Sequence, residues 1–294
     1  MTPSPNDPTP QHPTPLTVGP AGLPPIPPRI ARRWRARWDA QQQRYLPRRT
    51  ERFEVITDAL TLDIKRPDPL IVDLGVGPGS LALHLLDRIP GVRIIGVDAD
   101  PFLLGLADAA REEAGLAPDR LRLVQADLRA PDVLDRPELP EPVHAWVSTT
   151  ALHWMQHPDL QRLLRSLGAY TAPGGLVLDG DHIYHESKQA LFDAFTIRLA
   201  GLDAERCGVH ENEDWQQWWE AVAEVPEFAA HLAARDGVLE DRHGEHGPAR
   251  LHHYEQALRE AGFADVGTIW QYGDDRVLAA RRFGAAPSAP GSRG

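Results

Sequence analysis

The sequence predicts an α/β fold built on a doubly wound sheet of seven mostly parallel strands, closed by one antiparallel strand. Short apolar runs of strand length alternate along the chain with longer segments whose apolar residues recur at helical spacing. A glycine-rich turn joins the first strand directly to a helix, as in a parallel strand–helix–strand unit. The last two strands are close enough in sequence to form a hairpin, which supplies the antiparallel strand.

The individual elements follow from local signals. The strands are predicted at 71–73, 92–97, 121–125, 143–148, 176–178, 266–272 and 276–282. Asp100 is expected to cap a helix that has Pro101 in its first turn and extends to Arg111. A second helix, Pro158 to Tyr170, carries a leucine stripe that should pack on the sheet. The turn Ala-Pro-Gly-Gly at 172–175 is expected to precede the fifth strand.

The chain ends differ in composition from the part between them. Residues 1–28 are dense in proline, and 284–294 are mainly small residues and proline, so both are expected to be disordered tails. The folded domain is therefore predicted at 29–283. Within it, segment 184–247 is too long for a simple crossover and contains several aromatic residues in helical stretches. We expect it to form a helical cap over the carboxyl ends of the strands, with its aromatic residues mostly in the core.

An arginine-rich segment with interleaved aromatic residues, 29–52, precedes the first strand. It predicts one or two amphipathic helices. We expect its arginines to form a solvated face paired with Asp39, Glu51 and Glu54, while the aromatic residues pack inward. A nucleic-acid-binding helix is the alternative.

Composition limits the possible partners. The chain has 294 residues and a formal net charge of −11, which argues against binding nucleic acid mainly through its phosphates. One cysteine excludes an intrachain disulfide. No apolar run approaches the roughly 18 residues that a membrane helix needs, and the N-terminus lacks a basic, then apolar, signal layout. We therefore expect a cytoplasmic protein with neither nucleic acid nor membrane as a partner.

The first strand ends in an acid and a glycine turn that predict a cradle for an adenosine-type cofactor. Asp73 is followed by Gly75, Gly77 and Gly79, and Pro78 stands between the last two glycines. This spacing departs from a dinucleotide fingerprint, and the proline removes an N–H that a pyrophosphate could use. A ligand without phosphates is favoured. The second strand leads to Asp98 and Ala99, where a carboxylate typically binds ribose hydroxyls.

On these motifs the sequence resembles the class I S-adenosylmethionine-dependent methyltransferases, over about 29–283. It is most similar to their small-molecule branch, which includes trans-aconitate methyltransferase-like and natural-product tailoring enzymes. The resemblance implies a Rossmann-like fold, with S-adenosylmethionine as the methyl donor and S-adenosylhomocysteine (SAH) as the product. It also implies in-line methyl transfer to a small-molecule acceptor in a pocket closed to water.

The resemblance further implies roles for residues at the strand ends. Asp127 and Leu128 follow the third strand, where the family has an acid that accepts a hydrogen bond from the adenine amino group. Ser148 ends the fourth strand and leads into 149–154, which resembles the loop beside the reactive methyl group. Tyr45, or a neighbouring arginine such as Arg48, could reach the cofactor carboxylate.

Histidines after the fourth and fifth strands are the candidate catalytic residues. His153 is the first candidate, as a general base or as a residue that orients the acceptor. His182 and His185 come second. Trp154 is expected either to stack near the sulfonium or to pack in the core. A histidine-rich stretch spans the end of the predicted cap, but we predict no metal site there, because the surrounding sequence is charged and broken by glycines. Its members are His243, His246, His252 and His253.

The acceptor atom is predicted to be a hydroxyl or carboxyl oxygen. The fourth strand is not followed by the N-P-P-[YFW] motif of amide and adenine N-methyltransferases, and a catechol-type metal-ligand set is not evident. Nitrogen and carbon acceptors remain alternatives. Other functional classes are a regulatory protein that binds the cofactor without turnover, a nicotinamide oxidoreductase and a nucleic-acid methyltransferase.

Overall fold

The computed structural model describes residues 22–139, 142–184, 190–239 and 250–283. His185, His243 and His246 lie outside these ranges, as do tail residues 1–21 and 284–294. Pro28, which was predicted to be the last residue of the N-terminal tail, is the first residue of a helix. Within the described ranges, none of the helices combines the length and the apolar character needed to cross a membrane.

Seven strands form one sheet, as predicted. In chain order they are β1 (Leu70–Leu74), β2 (Arg93–Asp98), β3 (Leu121–Gln125), β4 (Val143–Thr149), β5 (Thr171–His182), β6 (Phe263–Tyr272) and β7 (Asp275–Arg282). Their spatial order is β3-β2-β1-β4-β5-β7-β6. β7 pairs antiparallel with both β5 and β6, and the other neighbouring pairs are parallel. The predicted fold class is confirmed.

Helices cover both faces of this sheet. They are α1 (Pro28–Tyr45), α2 (Arg49–Asp63), α3 (Ser80–Arg88), α4 (Pro101–Glu113), α5 (His157–Tyr170), α6 (Ala190–Arg206), α7 (Trp215–Ala223), α8 (Ala229–Leu239) and α9 (Leu251–Glu260). Val72 points into one core with α5 and α9, whereas the adjacent Ile71 points into the other with α2 and α3. This alternation is the two-residue period of a strand buried on both faces.

The predicted start of α4 is also confirmed. The Asp100 side chain accepts hydrogen bonds from the backbone N–H groups of Phe102 and Leu103, at 2.9 and 3.2 Å. These bonds satisfy two of the amides that a helix leaves without partners at its start. The leucine stripe of α5 is buried, as its spacing predicts.

The fifth strand is longer than predicted. It begins at Thr171, so the Ala-Pro-Gly-Gly sequence expected to form a turn before it lies inside the strand. Thr171 pairs with Val143, and the pairing then shifts so that Leu176 lies opposite Ala145. The extra residues form an irregularity, in which Gly174 adopts a φ of +77°. Pairing with β4 therefore extends this strand beyond its apolar run.

The helices α6, α7 and α8 occupy the segment predicted to form a cap. α7 and α8 pack with α1 and α4 around a third core, which contains Trp218 and Phe228, and α6 contacts α1. Two aromatic residues expected in a core do not lie in one, since Phe192 and Phe195 of α6 are 57% and 58% exposed.

The arginine-rich segment combines predicted and unexpected contacts. Trp34 and Trp38 of α1 are buried, as predicted. The prediction of a solvated arginine face is wrong for two residues, because Arg49 and Arg52 are buried. Arg49 forms an ion pair with Asp39, at 2.7 Å, and Arg52 reaches a carboxylate from the far end of the chain. The long aliphatic parts of arginine side chains allow their charged groups to reach such partners from a buried position.

Candidate active site

A cavity of about 1190 Å³ opens at the carboxyl ends of the parallel strands. Residues that follow β1, β2, β3, β4 and β5 form its floor, and α1, α7 and α8 supply its other walls. The strand order reverses between β1 and β4, and ligands of doubly wound sheets bind at such a switch point. The cavity therefore lies where this topology places a ligand.

The glycine turn after β1 forms one side of the cavity. Gly75, Gly77 and Gly79 have φ angles of +78°, +52° and +84°, which residues with a Cβ rarely adopt. A Cβ on Gly75 would lie 2.3 Å from the Cβ of Ala151, so the turn also requires glycine for a close approach. The N–H of Gly77 donates to Oδ2 of Asp98 at 2.8 Å, which joins the turn to the end of β2.

Seven of the residues predicted to bind the cofactor line this one cavity. They are Tyr45, Gly75, Gly77, Asp98, Ala99, Asp127 and Leu128. Asp98 also accepts a hydrogen bond from the backbone N–H of Asp100, at 2.9 Å. Asp127 forms an ion pair with Arg129, whose Nη2 lies 2.7 Å from Oδ2, and both residues line the cavity. Arg48 instead binds Asp203 of α6, while its neighbour Arg49 lines the cavity.

Three other predicted cofactor residues lie behind the cavity wall. The Ser148 hydroxyl donates to the Leu74 carbonyl at 2.9 Å, and Gly79 is the N-cap of α3. Asp73 is fully buried, and within the described residues neither of its carboxyl oxygens has a hydrogen-bond partner. Burial, together with the nearby charge of Asp98, raises the pKa of Asp73 to about 8. Asp73 is therefore mostly protonated at neutral pH.

His153 faces the cavity and is held by a buried carboxylate. Its Nδ1 lies 2.6 Å from Oδ1 of Asp181, and its backbone N–H donates to Oδ2 of the same residue at 3.1 Å. Asp181 is completely buried. Burial alone would raise the pKa of Asp181, but its contacts with His153 outweigh this and lower the pKa. An ionised carboxylate only accepts, so Nδ1 carries the proton and Nε2 is the ring nitrogen left for chemistry.

Three comparisons identify the family. A family model described as a methyltransferase domain matches residues 71–175. Trans-aconitate 2-methyltransferase from Methylobacterium nodulans is 29% identical over 219 residues, which span 70% of this chain and 78% of that protein. The protein of the same name from Azoarcus sp. is 28% identical over 251 residues, covering 76% and 90% of the two chains. These similarities support a class I S-adenosylmethionine-dependent methyltransferase.

A solved structure agrees with the fold of this methyltransferase. Magnesium protoporphyrin IX methyltransferase from Synechocystis, solved with bound SAH, superposes with a TM-score of 0.51 at 14% identity. The superposition covers 82% of this chain and 86% of the other.

The site of the methyltransferase fits its methyl donor. A Cβ on Gly77 would have no atom within 4 Å, so this glycine leaves open space beside the cavity, and Pro78 offers no N–H to a phosphate. The cavity volume exceeds the roughly 300–1,000 Å³ of an ordinary ligand pocket, so donor and acceptor can bind side by side.

A second imidazole of the methyltransferase lies beside the first. The ring centroid of His182 is 6.1 Å from that of His153, and both rings line the cavity. Nδ1 of His182 lies 3.0 Å from Oδ2 of Asp274, in the turn between β6 and β7. The structure thus brings together both described candidates among the predicted catalytic histidines.

A buried arginine supports the floor beneath these rings. Arg52 of α2 binds Asp275 at 2.8 Å and donates to the hydroxyls of Thr149 and Thr150 at 2.7 and 3.1 Å. Thr150 has a φ of +53°, a conformation that residues other than glycine seldom adopt and that functional sites often contain.

Arg235 anchors helix α8 beside the cavity. Its Nε donates to Oδ2 of Asp100 at 2.7 Å, and its guanidinium lies 3.8 Å from the ring centroid of Trp219. Trp154 is 53% exposed, lines the cavity and lies 6.0 Å from Trp215, measured between ring centroids. Trp154 is therefore a wall residue rather than a core residue.

Sequence reasoning missed the carboxylates that orient both histidines. Asp181 directly precedes His182, and Asp274 lies in a Gly-Asp-Asp turn, so each had a local signal as a polar residue at a strand end. Neither signal identifies the histidine that the carboxylate contacts. No metal site was predicted for the histidine-rich stretch, of which the described residues include His252 and His253. Both lie on α9, and their ring centroids are 3.9 Å apart. Among the described residues, no group of three or more potential ligands is arranged to hold a metal ion.

Proposed function

We propose that this methyltransferase transfers a methyl group to a hydroxyl or carboxyl oxygen of a small-molecule acceptor, with His153 as the residue that handles the acceptor proton. The observation that carries the proposal is the contact between His153 and the buried Asp181, inside the cavity that the glycine turn borders. An oriented imidazole beside a reacting oxygen is the usual arrangement for general base catalysis.

The cofactor-binding roles are assigned to the residues that line the cavity. Asp98 would bind the ribose hydroxyls, and Asp127 with Leu128 would contact the adenine ring. Gly75 and Gly77 would let the cofactor lie against the backbone, as does the small Ala99. Tyr45 and Arg49 of the N-terminal helices would face the carboxylate of the cofactor. Asp73, Gly79 and Ser148 would support this surface from behind.

When bound, S-adenosylmethionine supplies a methyl group on a positively charged sulfur, which an oxygen nucleophile can attack directly. The chain's own residues prepare that nucleophile. For a hydroxyl acceptor, Nε2 of His153 takes the proton as the new bond forms, and Asp181 stabilises the resulting imidazolium. For a carboxylate acceptor no proton must leave, and His153 then orients the acceptor in its protonated form, by donating a hydrogen bond from Nε2–H. The cap helices exclude water and hold the acceptor in place.

The named relatives favour a carboxyl acceptor. Two of them carry the name trans-aconitate 2-methyltransferase, and trans-aconitate is a tricarboxylate. We assign the catalytic domain to 29–283, with 184–247 as its cap, because the helices that represent this segment supply two walls of the cavity. We also propose a cytoplasmic enzyme without a nucleic-acid or membrane partner, and the net charge of −11 argues against binding nucleic acid mainly through its phosphates.

Two measurements test the proposal. Calorimetry with SAH should give micromolar binding, whereas NADH, the control, should not bind. Transfer of labelled methyl from S-adenosylmethionine is then measured with trans-aconitate, citrate, benzoate and salicylate as acceptors. Base-labile labelled product identifies a carboxyl ester, and base-stable product identifies an ether. SAH binding without transfer to any acceptor would instead favour a regulatory protein. Binding of NADH but not of SAH would refute the proposal that the glycine turn binds S-adenosylmethionine.

A further inference from the structure

The cavity contains two imidazoles whose surroundings differ in charge. Each has its Nδ1 on a buried carboxylate, His153 on Asp181 and His182 on Asp274. In both rings Nε2 is therefore the nitrogen that a bound molecule can contact. A ring of this kind accepts a hydrogen bond at Nε2 when it is neutral and donates one when it is protonated. The protonation state thus decides which role each ring can take.

Three acidic residues act on His182. Asp274 contacts its Nδ1, Asp181 precedes it on β5, and Asp275 stands next to Asp274 on the hairpin. Asp275 is itself paired with Arg52, and the neighbouring cavity ring is His153. Burial lowers the pKa of His182, but the hydrogen bond and charge of Asp274, with the charges of Asp181 and Asp275, outweigh it and raise the pKa.

A raised pKa keeps His182 protonated to higher pH than an ordinary histidine. Its Nε2–H is then a charged donor on the cavity wall, close to the ring proposed to handle the acceptor proton. Charge-assisted hydrogen bonds of this kind are about twice as strong as neutral ones, and carboxylates are their common acceptors. A neutral acceptor oxygen gains less from the same contact.

We propose that His182, oriented and charged by Asp274, anchors a carboxylate of the acceptor and thereby selects acidic acceptors. This inference rests on the proposed function and adds a specificity-determining residue to it. In this proposal the two imidazoles have different roles. His153 faces the oxygen that receives the methyl group, and His182 holds an anionic group of the same molecule.

The test uses the full chain saturated with SAH and four acids as probes, namely trans-aconitate, citrate, benzoate and salicylate. Binding of each acid is measured by calorimetry between pH 6 and 9. At least one acid should bind, and its affinity should fall as pH rises through the raised pKa of His182. His182→Gln should weaken that binding at least tenfold at pH 6.5 and remove its pH dependence. His210→Gln, a change at an exposed histidine outside the cavity lining, should behave like the unmodified protein.

A second variant separates charge from orientation. Asp274→Asn keeps an oxygen that can accept from Nδ1 but removes the negative charge. The pH at which acid binding is lost should therefore move to lower values, and histidine NMR should show the same shift for the signal that is missing in His182→Gln. An unshifted profile would mean that Asp274 only orients the ring, and the charge assignment would be wrong.

The outcomes distinguish this inference from the proposed function. Unchanged acid affinity in His182→Gln, or no binding of any probe to the SAH complex, overturns the anchor while SAH binding and methyl transfer still stand. If the unmodified protein does not bind SAH, the proposed function itself fails. Normal SAH affinity in His182→Gln shows that the variant has folded, so a loss of acid binding then supports the anchor.

Discussion

Replacing Asp181 with asparagine is the sharpest test of the catalytic assignment. The carboxylate accepts three hydrogen bonds in a fully buried position. Oδ1 accepts from Nδ1–H of His153 at 2.6 Å and from the backbone N–H of His182 at 2.7 Å. Oδ2 accepts from the backbone N–H of His153 at 3.1 Å. Asparagine has the same shape but offers only one acceptor oxygen, and its NH₂ group can only donate.

The size of the effect follows from these bonds. In either orientation of the amide, at least one buried N–H loses its acceptor, which costs about 1–3 kcal/mol. For a domain of this size that corresponds to a fall in Tm of roughly 2–12 °C. The amide also no longer stabilises a protonated His153. If His153 acts as the base, kcat should fall by on the order of 10²–10⁴.

The assay compares Asp181→Asn with Asp179→Asn in denaturant unfolding, SAH calorimetry and methyl transfer. Asp179 is also buried on β5, where burial followed by the charge of Asp181 raises its pKa, so asparagine replaces a carboxyl group whose ionised form this site disfavours. We expect Asp179→Asn to be nearly silent. SAH affinity should remain unchanged in both variants, because neither residue lines the cavity. A kcat of Asp181→Asn within threefold of the unmodified enzyme would refute the base assignment.

Three further predictions concern the cofactor side. Asp98→Ala removes the proposed ribose contact and should weaken SAH binding by about 1–3 kcal/mol, measured by calorimetry. Asp73→Asn should stabilise the protein increasingly from pH 5 to pH 8, measured by urea unfolding. The folded-state pKa of about 8 lies above the ordinary value, so ionisation of Asp73 in the unfolded chain reduces stability as pH rises. Gly75→Ala should lower Tm and SAH affinity more than Gly77→Ala. Both positions have positive φ, but only Gly75 places the new Cβ against Ala151, at 2.3 Å.

Each of these has a result that contradicts it. Unchanged SAH affinity in Asp98→Ala would show that the ribose does not bind there. An equal effect of Asp73→Asn at both pH values would mean that the carboxyl is not protonated in the folded protein. Equal losses in the two alanine variants would leave backbone strain as the sole reason for glycine in this turn.

The sequence alone determined the features that depend on neighbouring residues. Strand and helix periods predicted the sheet and its closing hairpin, and Asp100 before Pro101 marked the start of α4. Glycines at two-residue spacing predicted the turn at the end of β1, because a chain that needs positive φ three times in five residues leaves little choice of residue. Six of the seven predicted cofactor residues in the cavity lie at the ends of parallel strands, and they meet there because such strands end at the same edge of a sheet.

The tertiary structure decided which polar groups meet. Asp181 approaches His153 from 28 residues away, Asp274 approaches His182 from 92, and Asp275 approaches Arg52 from 223. Each contact depends on strand register and on how the closing hairpin is placed, and the two-residue alternation of a strand fixes a side chain's face without fixing its partner. The same reason applies to β5, whose extra length comes from pairing with β4. Local chemistry thus specified the glycine turn and the strand-end residues of the cavity, and long-range pairing specified the two oriented imidazoles.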